Sequence, residues 1–218
     1  MANRKRLVMV RHGETVGNSS IRYYGRTDLE LSELGRAQMR AVAIALAAQF
    51  GPGAPFSPII SSPFRRAREG ARIICGDDAR LDEIEEFREV DFGDFEGLTA
   101  DEIAARFPDE FARWNRDRLA PSFTYPHGES RAGFTARVER GLARMLPLLD
   151  APAARNAPAQ EQPALLVAHR GVLRTIARRL TGVAPLIELG SIQIFARDGD
   201  SRWRVELLDA TTHLVGLT

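Results

Sequence analysis

The sequence predicts an α/β fold, a three-layer α/β/α sandwich built around a mostly parallel sheet, and three observations predict it. Leu7-Val8-Met9-Val10 and Ala164-Leu165-Leu166-Val167-Ala168 are apolar runs without alternation, the pattern of strands buried on both faces. Stretches with helical periodicity lie between strand candidates rather than in a block of their own, which is the order of strand–helix–strand units. Both apolar runs stop abruptly, at Arg11-His12-Gly13 and at His169-Arg170-Gly171. In such sheets ligands sit beyond the carboxyl ends of the strands, where these histidines fall.

The elements follow in order. Ser32 to Phe50 is predicted helical, with Leu34, Ala41, Ile44 and Leu46 as its apolar stripe and Ser32 as its N-cap. Pro58-Ile59-Ile60-Ser61 reads as a short strand, followed by a helix from about Phe64 to Cys75. Thr99-Ala100-Asp101-Glu102 fits a capping box, opening a helix that Pro108 interrupts or restarts. Ser130 caps a further helix reaching Leu149. Residues 151–163, rich in Pro and Ala, read as an exposed loop before the strand that carries His169. Val172 to Leu180 reads as a helix closed by Gly182. Ile192–Phe195 and Trp203–Leu207 form a strand pair around Asp198-Gly199-Asp200. The whole chain, 1–218, is expected to be one domain with a small helical lid over about 98–128.

Composition narrows the function classes. The chain has 218 residues, 44% hydrophobic and 27% charged, enough for a sizeable core. Thirty Lys and Arg against 29 Asp and Glu leave a net charge of +1, so no global field recruits nucleic acid or an anionic membrane. Affinity for anions must then be local. The single cysteine, Cys75, leaves no intramolecular disulfide framework and reads as a small buried hydrophobe, which suits a reducing cytoplasm. The N-terminal apolar run is far too short for a signal peptide, and no stretch approaches a membrane span.

The sharpest chemical signal is Arg11-His12-Gly13-Glu14-Thr15 directly after a buried strand. Phosphoryl transfer needs an in-line nucleophile and positive charge matched to the equatorial oxygens; a neutral imidazole beside an arginine and glycine amides supplies both. Gly13 lets the main chain approach an anion, and Arg11 can clamp phosphate through two parallel hydrogen bonds. Taken alone, the five residues equally describe a strand ending in a hydrogen-bonded histidine. Ser62-Pro63-Phe64-Arg65-Arg66-Ala67-Arg68 adds arginines at a helix N-terminus, a natural oxyanion site. Of these, Arg66 is expected at the phosphate, with Arg65, Arg68 and Arg72 on a solvated face.

The motifs RHGET, SPFRRA, FREVDFGDFEG and VAHRG, in that order, resemble those of the phosphoglycerate-mutase-like histidine phosphatases. Gly25-Arg26-Thr27-Asp28, Leu31-Ser32-Glu33-Leu34-Gly35-Arg36-Ala37-Gln38 and Gly128-Glu129-Ser130 add to the likeness, which spans about Leu7 to Leu180. The resemblance implies that His12 is transiently phosphorylated and that Arg11, Arg66 and His169 complete a basic phosphate pocket. It implies substrate contacts at Asn18 and Gly25, and it places the family's acid/base carboxylate at Glu89. The chemistry asks for such a group: an acid must protonate the leaving oxygen, and the resulting carboxylate can then activate water. Residue types alone leave the choice open among Glu89, Glu83, Glu85, Glu86, Asp91, Asp94 and Glu96.

That acidic run also admits a divalent-metal reading. Its spacing fits no complete calcium loop, and a pocket with two arginines and two histidines has little need of a cation, so neither metal nor cofactor is expected. Asp91 and Asp94 then read as outward carboxylates of a turn whose Phe92 and Phe95 point inward. His127 reads as a surface histidine, and no role is assigned to His213.

One residue departs from the family's pattern: Arg170 stands directly after the second histidine, where a small or polar residue is usual. Its side chain either adds charge for a second anionic group or blocks the pocket. The short helical stretches Ala100–Arg106 and Pro108–Arg116 resemble the phosphatase branch rather than the mutases, which carry a longer insertion. Phe111, Trp114, Phe123 and Tyr125 are candidates for aromatic surface at the pocket mouth, though such spacing also suits a core. The expected function is hydrolysis of a small phosphorylated metabolite. The alternatives are a cofactor-dependent phosphoglycerate mutase and a non-catalytic module that binds phosphoryl ligands. A homodimer is possible through an apolar edge strand or helix.

Overall fold

The computed structural model describes residues 4–52, 56–150, 162–199 and 202–217. Its centre is a six-stranded sheet of β1 (Arg4–Arg11), β2 (Ile59–Ser61), β3 (Asp82–Glu83), β4 (Ala164–Ala168), β5 (Ile192–Asp198) and β6 (Arg204–Ala210). The spatial order is β3-β2-β4-β1-β5-β6. The pairs β3–β2, β2–β4 and β4–β1 are parallel, and β1–β5 and β5–β6 are antiparallel. The final two strands form the expected pair around Asp198 and Gly199; Asp200, like nearly all of the proposed loop over 151–163, lies outside the described residues.

The two apolar strands lack alternation because both of their faces are covered. Val8, Val10, Leu165 and Val167 join the core beneath α1 (Glu33–Phe50) and α2 (Arg65–Cys75), together with Met39, Val42 and Ala71. Leu7, Met9, Leu166 and Ala168 point to the other face, toward α5 (Arg131–Asp150) and α6 (Arg170–Thr181), with Val138, Leu142 and Ile176. The period of two along a strand thus assigns successive residues to opposite layers. Burying one such side chain contributes about 1.5–3 kcal/mol, so these strands carry much of the core.

Helix ends follow local chemistry. The Ser32 side chain accepts from the Gly35 amide at the start of α1, and Ser130 accepts from Gly133 at the start of α5. Thr99 and Glu102 form the reciprocal capping box that opens α3 (Ala100–Arg106), and Pro108 is the first residue of α4 (Pro108–Asp117), where its missing N–H costs nothing. Gly182 closes α6 in the left-handed conformation. One expectation fails: the buried side of α1 is Gln38, Met39, Val42 and Leu46, whereas Ile44 is 72% exposed. The stripe was displaced because Leu34 and Ile44 are apolar without facing the sheet. Leu34 instead borders a cavity.

Burial pushes the Cys75 thiol up to about 12, in keeping with an inert apolar role. Among the described residues, no helix is long and apolar enough to cross a membrane.

Candidate active site

Strand register places the two histidines together. Arg11 pairs with Ala168 across the parallel β1–β4 ladder, and the His12 amide donates to the Ala168 carbonyl at 3.1 Å. His12 and His169 therefore leave adjacent strand ends side by side, their ring centroids 5.1 Å apart and their planes at 67°. The 156 residues between them in sequence are bridged by one step of the sheet.

His12 is buried, and its Nδ1 donates to the Gly13 carbonyl at 2.8 Å. This fixes the tautomer and leaves the Nε2 lone pair free. Burial first, then Arg66 and Arg11, hold the His12 pKa well below the ordinary 6.5, so the ring is neutral near neutral pH. His169 is wholly buried, and its pKa is lowered in the same way by burial, Arg66, His12 and Arg11.

Arg66 lies in the first turn of α2 with 1% exposure. Its Nη1 donates to the Thr27 carbonyl at 2.7 Å, its Nη2 to the Gly25 carbonyl at 2.9 Å, and its Nε to His169 Nδ1 at 3.3 Å. His169 Nε2 then carries the proton and donates to Ser62 Oγ at 2.7 Å. One N–H on each Nη remains for an anion. Burial lowers the pKa of both Arg11 and Arg66 to about 10, which leaves them charged at neutral pH.

Glu89 is 9% exposed. Its Oε1 accepts from the Val90 amide and its Oε2 from the Gly171 amide, each at 3.0 Å. Gly171 is needed for this approach, since a Cβ there would stand 2.5 Å from Glu89 Oε1. The backbone around Glu89 is gripped by Arg137, which donates to the carbonyls of Glu86, Arg88 and Glu89 and pairs with Glu129 at 2.7 Å. The Gly128-Glu129-Ser130 stretch thereby acquires a purpose: it orients the arginine that orients the glutamate's loop.

Arg11, His12, Arg66, Glu89 and Arg170 line one cavity of about 750 Å³. Its wall also includes Glu14, Tyr23, Tyr24 and Phe92, together with Leu34, Leu214 and Val215. Three expectations are revised. His169 lies beneath the cavity rather than in its lining, because both ring nitrogens serve Arg66 and Ser62. Gly25 supports from behind: its carbonyl holds Arg66, its amide donates to Glu96 at 3.0 Å, and a Cβ would meet the Val90 carbonyl at 1.7 Å. Asn18 is exposed outside the lining; with φ of 59° its carbonyl closes a turn onto the amides of Ile21 and Arg22.

The aromatic candidates are core. Trp114, Phe123 and Tyr125 are 6%, 4% and 6% exposed, and α3 and α4 sit behind Tyr23, which meets Trp114 edge-on at 5.4 Å. Tyr23, Tyr24 and Phe92 supply the cavity's aromatic surface instead. The acidic run divides as expected except at Phe92: Asp91 accepts from Gly93, Asp94 from His127, and Phe95 is buried, whereas Phe92 is half-buried at the cavity wall. His127 has a side chain 88% exposed. Among the described residues, no group of three or more His, Cys, Asp or Glu is arranged to hold a metal ion.

Residues 7–209 match the model of the histidine phosphatase superfamily, branch 1. The chain belongs to the histidine phosphatase superfamily. The glucosyl-3-phosphoglycerate phosphatase of Mycobacterium tuberculosis is 36% identical over 184 residues, 81% of this chain and 75% of that protein. The adenosylcobalamin/alpha-ribazole phosphatase of Salmonella typhimurium is 32% identical over 178 residues, 80% of this chain and 79% of that one. The native structure of a mycobacterial glucosyl-3-phosphoglycerate phosphatase superposes with a TM-score of 0.73 at 30% identity, covering 95% of this chain and all of the other.

As a histidine phosphatase, the chain also uses residues whose supporting roles its sequence did not disclose. Glu14 is buried and accepts from the Thr15 and Ser20 amides and from Ser19 Oγ, which folds the loop after His12 back on itself. Glu96 gathers the amides of Gly25, Arg26 and Phe92 and the Thr27 hydroxyl, tying the Arg66-binding loop to the Glu89 loop. Both lie within quoted motifs, so the signal was present without its meaning. Asp209 had no signal: from the last strand, it accepts from the amides of Leu186 and Ile187, each at 2.9 Å.

Proposed function

We propose that this protein hydrolyses a small phosphomonoester through a phosphohistidine at His12. The observation that carries the proposal is the arrangement of one cavity, in which a neutral His12 with a free Nε2 stands between Arg11 and Arg66 and shares the space with Glu89. Relatives named as phosphatases support hydrolysis over phosphoryl relocation.

In the first step Nε2 of His12 attacks phosphorus while the P–O bond to the alcohol breaks. The Glu89 carboxyl gives its proton to the departing oxygen, a contribution of about two to four orders of magnitude in rate. Arg11 and Arg66 bind the equatorial oxygens as charge spreads over them. In the second step water attacks the phosphohistidine, its proton passes to the Glu89 carboxylate, and the P–N bond breaks to release phosphate and restore the imidazole. His169 holds Arg66 and fixes the edge of His12 rather than exchanging protons with substrate.

Two features would have favoured a non-catalytic binding module: Glu89 turned away from the cavity, or Arg170 filling it. Glu89 lines the cavity, and Arg170 is drawn to its wall by a hydrogen bond from Nε to the Leu186 carbonyl at 3.0 Å. Incubation with 3-phosphoglycerate and a bisphosphoglycerate primer tests the reading. Release of inorganic phosphate without 2-phosphoglycerate is expected; isomerisation at a rate above hydrolysis contradicts it.

A further inference from the structure

Among the cavity's cations, Arg170 has no task in the phosphate chemistry. It is the first residue of α6, and its Nε donates to the Leu186 carbonyl at 3.0 Å. The Nη1 of Arg11 donates to the very next carbonyl, that of Ile187, at 3.1 Å. Consecutive residues are about 3.8 Å apart along the chain, so the two guanidinium groups are held as neighbours.

The backbone presenting these carbonyls is itself held. Ile187 is a buried, β-branched residue at φ of 59°, a conformation costing about 1–3 kcal/mol, and the Asp209 carboxylate retains it by accepting from the amides of Leu186 and Ile187. Arg170 is exposed at the cavity wall, yet this held backbone gives its Nε a fixed acceptor beside the one that Arg11 uses. Pinning Nε spends one donor of Arg170 and leaves the parallel N–H pair of its two Nη atoms unspent among the described residues, the pair that matches a carboxylate.

Among the described residues, no carboxylate lies within ion-pair distance of that pair. The ion pairs among the described residues do not include Arg170. Glu14 is engaged by Thr15, Ser19 and Ser20, and Glu89 by Val90 and Gly171. Glu188 acts on Arg11, and Asp209 is occupied by its two amides. Positive charge accumulates on this side: Arg174, one turn further along α6, has its pKa lowered by burial and then by Arg170 and Arg131. Glu89 offsets the charge of Arg11, while Arg170 adds a repulsion that a bound anion would relieve.

The geometry points to Arg170 as a specificity residue: the substrate is a phosphomonoester whose alcohol carries a carboxylate a few bonds from the ester oxygen, bound by Arg170 while Arg11 and Arg66 hold the phosphate. The inference rests on the phosphatase reading only for the identity of the scissile group.

Glycerol 3-phosphate and 3-phosphoglycerate differ by a carboxylate at short reach, and phenyl phosphate and 4-carboxyphenyl phosphate by one at longer reach. The wild-type protein is expected to prefer the carboxylated member of at least one pair by about tenfold or more in kcat/KM. Arg170→Gln should shrink that ratio by about tenfold, and Arg170→Lys, which keeps charge but loses the fork, should fall between. Calorimetric affinities measured on His12→Ala should show the same preference and its loss in the double variant. Hydrolysis without preference at either reach, or a preference that survives Arg170→Gln, overturns the inference and leaves the phosphatase reading standing. Preferential binding without hydrolysis of any ester has the opposite meaning.

Discussion

Nε of Arg66 donates to Nδ1 of His169 at 3.3 Å, so the second histidine is the support on which the phosphate-facing arginine rests. The chain of donors runs from Arg66 through His169 to Ser62 Oγ, and every member is buried. Ser62→Ala leaves the His169 Nε2–H without an acceptor in a dry site, which costs about 1–3 kcal/mol. A lower urea midpoint is expected, with a smaller loss of kcat/KM than in His169→Ala. An unchanged midpoint would break the chain as drawn.

Arg137 positions Glu89 without reaching substrate. Arg137→Ala frees the carbonyls of Glu86, Arg88 and Glu89 together, and small misplacement of a catalytic group costs up to about a hundredfold. Expected is a fall in kcat with little change in phosphate affinity, in the same direction as Glu89→Gln but smaller. Arg137→Lys should restore little, because one ammonium cannot span three carbonyls. A change confined to KM contradicts this role.

Stability should depend on pH through the two histidines. Both have folded-state pKa values depressed below 6.5, so between the two values the unfolded chain binds more protons and acid favours it. Their contribution is complete above about pH 6.5 and declines as pH falls below it, each group adding a slope of up to about 1.4 kcal/mol per pH unit. Thermal melting between pH 8 and 5 should show a decline that His12→Gln makes shallower. Equal slopes in the two proteins would contradict the assignment.

Activity should survive EDTA. Arg11 and Arg66 supply the positive charge that a divalent ion provides elsewhere, and both remain protonated up to about pH 10. Full dependence of turnover on added metal would overturn this.

What the sequence disclosed follows from how local each signal is. His12 and His169 were legible because a buried strand, a sharp stop and a glycine are written in neighbouring residues, and parallel pairing does the rest. Arg66 was legible from a strand followed by a helix start. Glu89 was not separable by residue type from its neighbours, since what distinguishes it is placement: it lines the cavity, whereas Glu96 is committed to four donors behind it, Asp94 to His127, Glu86 to Arg144 and Glu83 to Arg68. Asp209 could not be found at all, because its partners are backbone amides 22 and 23 positions away that leave no mark on composition. Gly25 and Asn18 stood in motif positions, yet the one is enclosed by Val90, Glu96 and Arg66 and the other closes a turn.

The most direct measurement is a rapid acid-free quench of the protein with a ³²P-labelled phosphomonoester, followed by mapping of the label. The account expects a base-stable, acid-labile phosphoenzyme with its phosphate on His12, absent from His12→Ala and accumulating in Glu89→Gln if water attack slows more than transfer to the enzyme. Label on any other residue, or turnover retained by His12→Ala, contradicts it.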